Sequence, residues 1–198
     1  VLPVPPVSAA QAAVGLVDIR SAVPDAVIAL AYASKDNWTK HRFYPADARC
    51  LVHKTMVPGL THAAAVLRAQ GYRLAMWDCY RPRAVQKAMF DIVKNADWVA
   101  RPGPKGTQHE VGRAVDLTLA HADGTLVDMG SGYCNFTAIS HSNAGAKEGL
   151  TPRQVANRKM LNKAMISDGS LWNYKGEWWH FNGPGSHTPR PHLDVPVD

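Results

Sequence analysis

Two short segments, separated by about sixty residues, constrain this chain more than anything else in it. The first runs Thr107-Gln108-His109-Glu110-Val111-Gly112-Arg113-Ala114-Val115-Asp116 and the second Glu177-Trp178-Trp179-His180. Together they hold two imidazoles, one carboxylate able to ligate a metal, and a second carboxylate three residues before the last histidine. A catalytic zinc requires three protein ligands, an open fourth position and a base for the attacking water. These four residues fill those roles and point to a zinc hydrolase. The spacing also limits the backbone. His109 and Asp116 are seven positions apart, so a straight strand would send them to opposite faces. His109 must therefore lie on a loop or before a bend, with Gly112 allowing the turn. Glu177 and His180, three apart, require a similar irregularity.

The surrounding periodicity predicts α+β architecture, an antiparallel sheet with helices packed mainly on one side. Val57, Leu60, Ala64 and Leu67 recur at helical spacing within a helix over about 55–70, which Gly71 stops. Tyr72 to Trp77 alternates as a strand, and the turn Arg81-Pro82-Arg83 leads to a second helix ending near Asn95. Pro102, Gly103, Pro104 and Gly106 mark a loop before the first segment, and Val111 to Leu119 reads as a strand. Thr151, Pro152 and Gln154 compose a capping box and first turn for a third helix reaching about Ser167, with Val155, Leu161, Ala164 and Met165 on its core side. Glu177 to Asn182 reads as a final strand or strand edge. Val17 to Leu30 is consistent with either a first strand or a short helix. Residues 1–15, rich in Pro and Ala, are expected as a surface arm on one domain spanning 1–198.

These segments resemble a known family. The first is similar to the S-x-H-x-x-G-x-A-x-D signature of the D-alanyl-D-alanine dipeptidases, the VanX-type zinc DD-peptidases, whose wider group also includes VanY-type carboxypeptidases and the hedgehog signalling domain. The second resembles the E-x-x-H of that family, including Trp178, Trp179 and Phe181. Trp77-Asp78-Cys79-Tyr80-Arg81-Pro82 is similar to the segment presenting the family's arginine. Tyr32-Ala33-Ser34-Lys35-Asp36-Asn37-Trp38-Thr39 resembles its N-terminal segment. The likeness runs from about Tyr32 to Asn182, and it departs at Thr107, where the pattern usually has serine.

The resemblance implies one Zn2+ held by His109, Asp116 and His180. It implies Glu177 as general base and proton carrier, and Arg81 as the guanidinium that stabilises an oxyanion. For each there is a plainer reading: a strand-end salt bridge for Glu177, and a structural ion pair for Arg81. Asp78 would orient Arg81 or a ligand histidine from behind. Tyr32 and Thr107 are the candidate substrate contacts by the same resemblance. Arg83 is expected to face solvent, Asp128 to form a turn, and His187 and His192 to lie at the surface. Trp178 and Trp179 are expected as pocket wall and core.

The implied activity is hydrolysis of free D-alanyl-D-alanine to two D-alanines, serving glycopeptide resistance or recovery of D-alanine from wall turnover. Two alternatives stand beside it. One is a peptidoglycan DD-carboxypeptidase or endopeptidase with the same zinc chemistry in an open cleft. The other is a zinc-binding module without catalysis, against which the presence of both Glu177 and Arg81 argues.

Composition narrows the partners. A net charge of +6 and pI near 9.3 admit nucleic acid, an anionic envelope or an acidic substrate. The basic residues are scattered rather than clustered with aromatics, which argues against nucleic acid. No run approaches the roughly 18 apolar residues of a membrane span; the small dipeptide expected as partner is what the resemblance implies, and oligomeric state is not legible. Three cysteines are too few and too dispersed for a structural zinc cluster. Cys79 reads as a small buried side chain, while Cys50 and Cys134 are the candidates to pair in an oxidising compartment. The start at Val1 is compatible with a mature exported, periplasmic protein; a cytoplasmic location is the alternative.

Overall fold

The computed structural model describes residues 3–198; the first two residues of the expected arm lie outside that range. In chain order the elements are α1 (Ala9–Ala13), β1 (Leu16–Asp18), β2 (Val27–Ile28), β3 (Leu51–His53), α2 (Val57–Arg68), β4 (Tyr72–Asp78), α3 (Arg83–Val93), β5 (Ala114–His121), α4 (Pro152–Ile166), β6 (Trp172–Asn173) and β7 (His180–Asn182). The architecture is α+β. The main sheet has the order β2-β4-β5-β7-β6, with β4–β5, β5–β7 and β6–β7 antiparallel, as expected, and β2 joined parallel to β4. β1 and β3 form a separate antiparallel ribbon.

β5 is the centre of this arrangement. Every residue from Ala114 to Ala120 is buried, as expected of a strand with neighbours on both edges and cover on both faces. Two helices supply much of that cover. α2 packs on α4 and on β4, and α4 reaches β6. Leu60, Ala63, Ala64 and Leu67 form the buried stripe of α2. α4 opens with the expected box: Thr151 Oγ accepts from Gln154 N at 3.2 Å, and Gln154 Oε1 accepts from Thr151 N at 2.9 Å. Its buried face carries Leu161, Ala164 and Met165 but also Asn157 and Arg158. Both polar chains are tethered to the 128–139 loop, Asn157 to Asp128 O and Arg158 to Met129 O and Ile139 O.

Three expectations need correction here. The arm contains a short helix, α1, in which the buried Gln11 donates to Pro196 O and Asp198 O at 2.9 Å each. The span Val17 to Leu30 is neither one strand nor one helix, but two short strands with a tight helical turn, Ile19–Ser21, after the first. The disulfide joins Cys50 to Cys79, and Cys134 is free. β3 runs beside the chain that leaves β4, where Tyr80 N donates to Leu51 O at 2.8 Å. That backbone contact brings Cys50 and Cys79 together, and sequence spacing does not encode it.

Candidate active site

The three central strands place three site residues in a row. Asp78 at the end of β4 pairs with Asp116 on β5, which pairs with His180 at the start of β7. The register of β4 slips between Met76 and Asp78. His109 arrives from outside the sheet, on a tight turn, Gln108–Val111, that precedes β5. Gly112 then turns the chain at φ +66°, where a Cβ would stand 2.7 Å from Leu16 Cδ2, so a side chain there meets both a strained backbone and a filled space. Glu177 also sits off the strand. Its N–H donates to Tyr174 O at 3.1 Å in the turn before β7, and β7 itself begins only at His180. Both odd spacings are thus resolved by turns, as their parity required.

The donor atoms of His109, Asp116 and His180 converge. His109 Nε2 lies 3.2 Å from His180 Nδ1 and 3.3 Å from Asp116 Oδ1, and His180 Nδ1 lies 2.9 Å from Asp116 Oδ1. All three residues are buried, and together they form a set able to hold a metal ion. The hydrogen bonds behind them set the tautomers. His109 Nδ1 faces Cys79 O at 2.8 Å, and His180 Nε2 faces Asn182 Oδ1 at 3.0 Å. Both partners only accept, so each ring carries its proton there and turns a lone pair inward. Two lone pairs and a carboxylate oxygen facing one another in a buried site repel unless a cation stands between them. A tetrahedral zinc with bonds of about 2.0–2.1 Å separates its ligand atoms by roughly 3.3 Å, close to the triangle found. The donor set therefore fits zinc.

Charge in the site follows from this crowding. Burial alone would push the Asp116 carboxyl up; with protons in place of a metal ion on the inward-facing nitrogens, the imidazolium charge holds it well below the usual carboxylate range. Glu177 moves the other way: burial and the nearby Asp116 carboxylate raise it above its ordinary value. Its Oε2 lies 3.8 Å from His180 Nδ1, outside the donor triangle.

Arg81 is buried and doubly bound to Asp78, with Nε and Nη2 donating to Oδ2 at 2.9 and 2.6 Å. Nη1 donates to Gln86 Oε1 at 2.7 Å. Asp78 is held in turn by the Tyr44 hydroxyl at 2.7 Å and the Cys79 N–H at 3.0 Å. The ion pair and the pocket position occur together: of the five guanidinium N–H groups, three are engaged and one on each terminal nitrogen is left over.

The cavity these residues line has a volume of about 230 Å³, and Tyr32, Thr107, Glu110, Cys134 and Tyr174 share its wall. Tyr32 is buried, accepts from Trp38 Nε1 at 3.0 Å, and lies under the Arg81 guanidinium at 5.6 Å. Trp178 and Trp179 are both buried, and Trp178 Nε1 donates to Ser131 Oγ at 2.9 Å. Arg83 and His187 are exposed, and Asp128 closes a turn through Gly130 N at 2.9 Å. His192 corrects its expectation: its side chain is 6% exposed, with Nδ1 3.5 Å from Glu110 Oε1, because residues 190–192 fold back against Gly103 and Gly106.

Several contributors went unseen in the sequence. Tyr133 donates its hydroxyl to Asp116 Oδ2 at 2.7 Å, Gln86 braces Arg81, and Asn182 sets the His180 tautomer. Asn182, two residues after a candidate ligand on the same strand face, carried a readable signal. Tyr133 and Gln86 lie far from either segment and carried none.

An acid standing apart from a metal-competent triad, with a fixed guanidinium on the same wall, is the equipment of a hydrolase that attacks a carbonyl. The sequence also matches a family model, Peptidase_M15, described as D-ala-D-ala dipeptidase, over residues 12–198, and the chain belongs to this peptidase family. It is 34% identical to the D-alanyl-D-alanine dipeptidase of Escherichia coli K12, over 85% of this chain and 84% of that one. It is 31% identical to the D-alanyl-D-alanine dipeptidase of Enterococcus faecalis, over 76% and 82%. Among solved structures, a vancomycin-resistance D,D-pentapeptidase, VanY, in complex with Zn(II), aligns at a TM-score of 0.42 and 17% identity, covering 71% of this chain and 82% of that chain.

Proposed function

We propose that the chain is a zinc-dependent dipeptidase acting on free D-alanyl-D-alanine, with His109, Asp116 and His180 as the metal ligands. The observation that carries this reading is the triangle of inward-facing donor atoms, with Glu177 close by but outside it. When bound, zinc supplies Lewis acidity, polarising the scissile carbonyl and bringing the pKa of water toward about 7. Glu177 accepts the proton of the attacking water on its carboxylate and returns it to the leaving amine. Arg81, kept in place by Asp78 and Gln86, directs its remaining N–H groups at the developing oxyanion. Tyr32 and Thr107 line the space for the substrate's polar ends. A cavity of about 230 Å³ lies below the roughly 300–1,000 Å³ of pockets for drug-sized ligands, which favours a free dipeptide over a peptidoglycan strand. The Cys50–Cys79 bond supports an exported location, since such bonds persist in oxidising compartments.

The test is hydrolysis of D-Ala-D-Ala beside N-acetyl-D-Ala-D-Ala by zinc-loaded protein. Cleavage of the free dipeptide alone is expected; preference for the acylated form would move the chain to the carboxypeptidase class. Glu177→Ala should retain zinc one to one and lose about 10²–10⁴-fold in turnover. Loss of the metal in that variant would make Glu177 a ligand and overturn the assignment.

A further inference from the structure

Three loops, distant in sequence, each send one aromatic side chain to the same cavity: Trp38, Trp98 and Phe136. They meet there. Phe136 stacks on Trp98 with ring centroids 5.2 Å apart and planes 7° from parallel, and Trp38 meets Phe136 edge-on at 5.0 Å. Trp98 is 47% exposed, so the stack stands at the solvent side of the cavity rather than in the core. A large exposed indole stacked over a pocket is poorly accounted for by core packing.

Each of the three loops is also tied to a different residue of the site. The loop bearing Trp98 is joined to Arg81 through Gln86, which donates to Ala100 O at 2.7 Å while accepting from Arg81 Nη1. The loop bearing Phe136 is joined to Asp116 through the Tyr133 hydroxyl. Trp38 is joined through its indole N–H to Tyr32, beneath the same guanidinium. The aromatic bridge is therefore tethered, through each of its loops, to residues around the candidate centre.

We propose that the Trp98–Phe136 stack, braced by Trp38, is the specificity determinant that limits the substrate to a free dipeptide, by occupying the space through which an acyl or peptidyl extension would leave the cavity. This rests on the dipeptidase reading above. The bridge selects by exclusion, so opening it should admit the longer substrate without improving the shorter one.

The experiment compares kcat/KM for D-Ala-D-Ala and N-acetyl-D-Ala-D-Ala in the wild type, Trp98→Ala, the double variant Trp98→Ala/Phe136→Ala, and Trp98→Phe. The alanine variants should narrow the preference for the free dipeptide at least tenfold through a gain on the acetylated substrate, and Trp98→Phe, which keeps the stack, should restore the preference. An unchanged ratio, or an equal fall for both substrates, would reduce the bridge to loop packing and overturn the proposal. Wild-type protein that cleaves neither substrate would refute the dipeptidase reading itself. An unchanged ratio in variants of an active enzyme would refute only the bridge. Zinc content and melting temperature, measured alongside, separate a change of selectivity from a disturbed centre.

Discussion

Asp116 uses its two carboxylate oxygens differently. Oδ1 faces both imidazoles, while Oδ2 accepts from the Tyr133 hydroxyl and stands 3.9 Å from Arg81 Nη2. Tyr133 is aimed by its neighbours, with its ring against Tyr32, Trp77 and Trp179 at 5.8, 5.2 and 5.8 Å. In the proposed zinc site, a carboxylate whose second oxygen is held in this way has lost a rotational alternative before any metal binds, and such outer contacts commonly contribute 10–100-fold in metal affinity. Tyr133→Phe keeps the ring and removes the hydroxyl, so zinc affinity in a chelator competition should fall by about that factor while the fold stays intact. At this scale the sequence picked out the motif residues that the structure brings together and missed those behind them. Glu177 and His180 stood in a recognisable segment. Tyr133 and Gln86 act across 17 and 5 positions of chain respectively, through contacts that no local pattern announces.

Among the elements, the turn from His109 into β5 carries the tightest steric demand. Gly112 holds φ +66°, with His53 N 3.0 Å and Leu16 Cδ2 2.7 Å from where a Cβ would stand. Gly112→Ala should cost more than the roughly 1–2 kcal/mol of a left-handed alanine, because the β1–β3 ribbon must also shift. Gly124→Ala, at φ +88° with nothing within 4 Å, should cost only the backbone part, and chemical denaturation of the two variants separates the contributions. The Cys50–Cys79 bond closes a loop of sequence separation 29, worth about 3–4 kcal/mol on chain-entropy grounds. Reduction should lower the denaturation midpoint accordingly, and Cys134→Ser should leave that redox dependence unchanged. α2 and α4 were legible from periodicity because each buries one repeating set of side chains, and β4 and β5 from their length, β5 being buried on both faces. The short strands β2, β3 and β6 were not, since two or three residues are too few to show a period; β1 stayed open between strand and helix, and β7 was read within Glu177 to Asn182.

For the molecule as a whole, His53 joins the small ribbon to the main sheet. Its N–H donates to Gly112 O at 2.7 Å, its Nδ1 lies 2.9 Å from Thr55 Oγ1, and its Nε2 faces Arg113 Nη2 at 3.3 Å. Burial, then the charges of Arg113, Lys54 and Arg190, lowers its pKa to about 4. A histidine whose folded pKa lies below its unfolded value of about 6.5 favours the fold while neutral. Its contribution is present in full above pH 6.5 and is lost as pH falls toward 4. The melting temperature should therefore drop across that window. His53→Asn, which retains a side-chain acceptor for the Thr55 N–H, should take up one proton fewer on unfolding there; an identical pH slope would show that His53 is not the group responsible.

Sequence alone determined the chemistry on offer: residue types at set spacings, a parity that demanded turns at His109 and Glu177, and helices long enough to show their period. These are local properties, written within a few residues of one another. Only the tertiary structure decided which cysteines meet, that β2 enters the sheet parallel, that the His192 side chain packs beside Glu110, and that three loops bring their aromatic rings together at the cavity. Those outcomes depend on which distant surfaces come into contact, and the free energy of such contacts belongs to pairs of segments that neither segment encodes by itself.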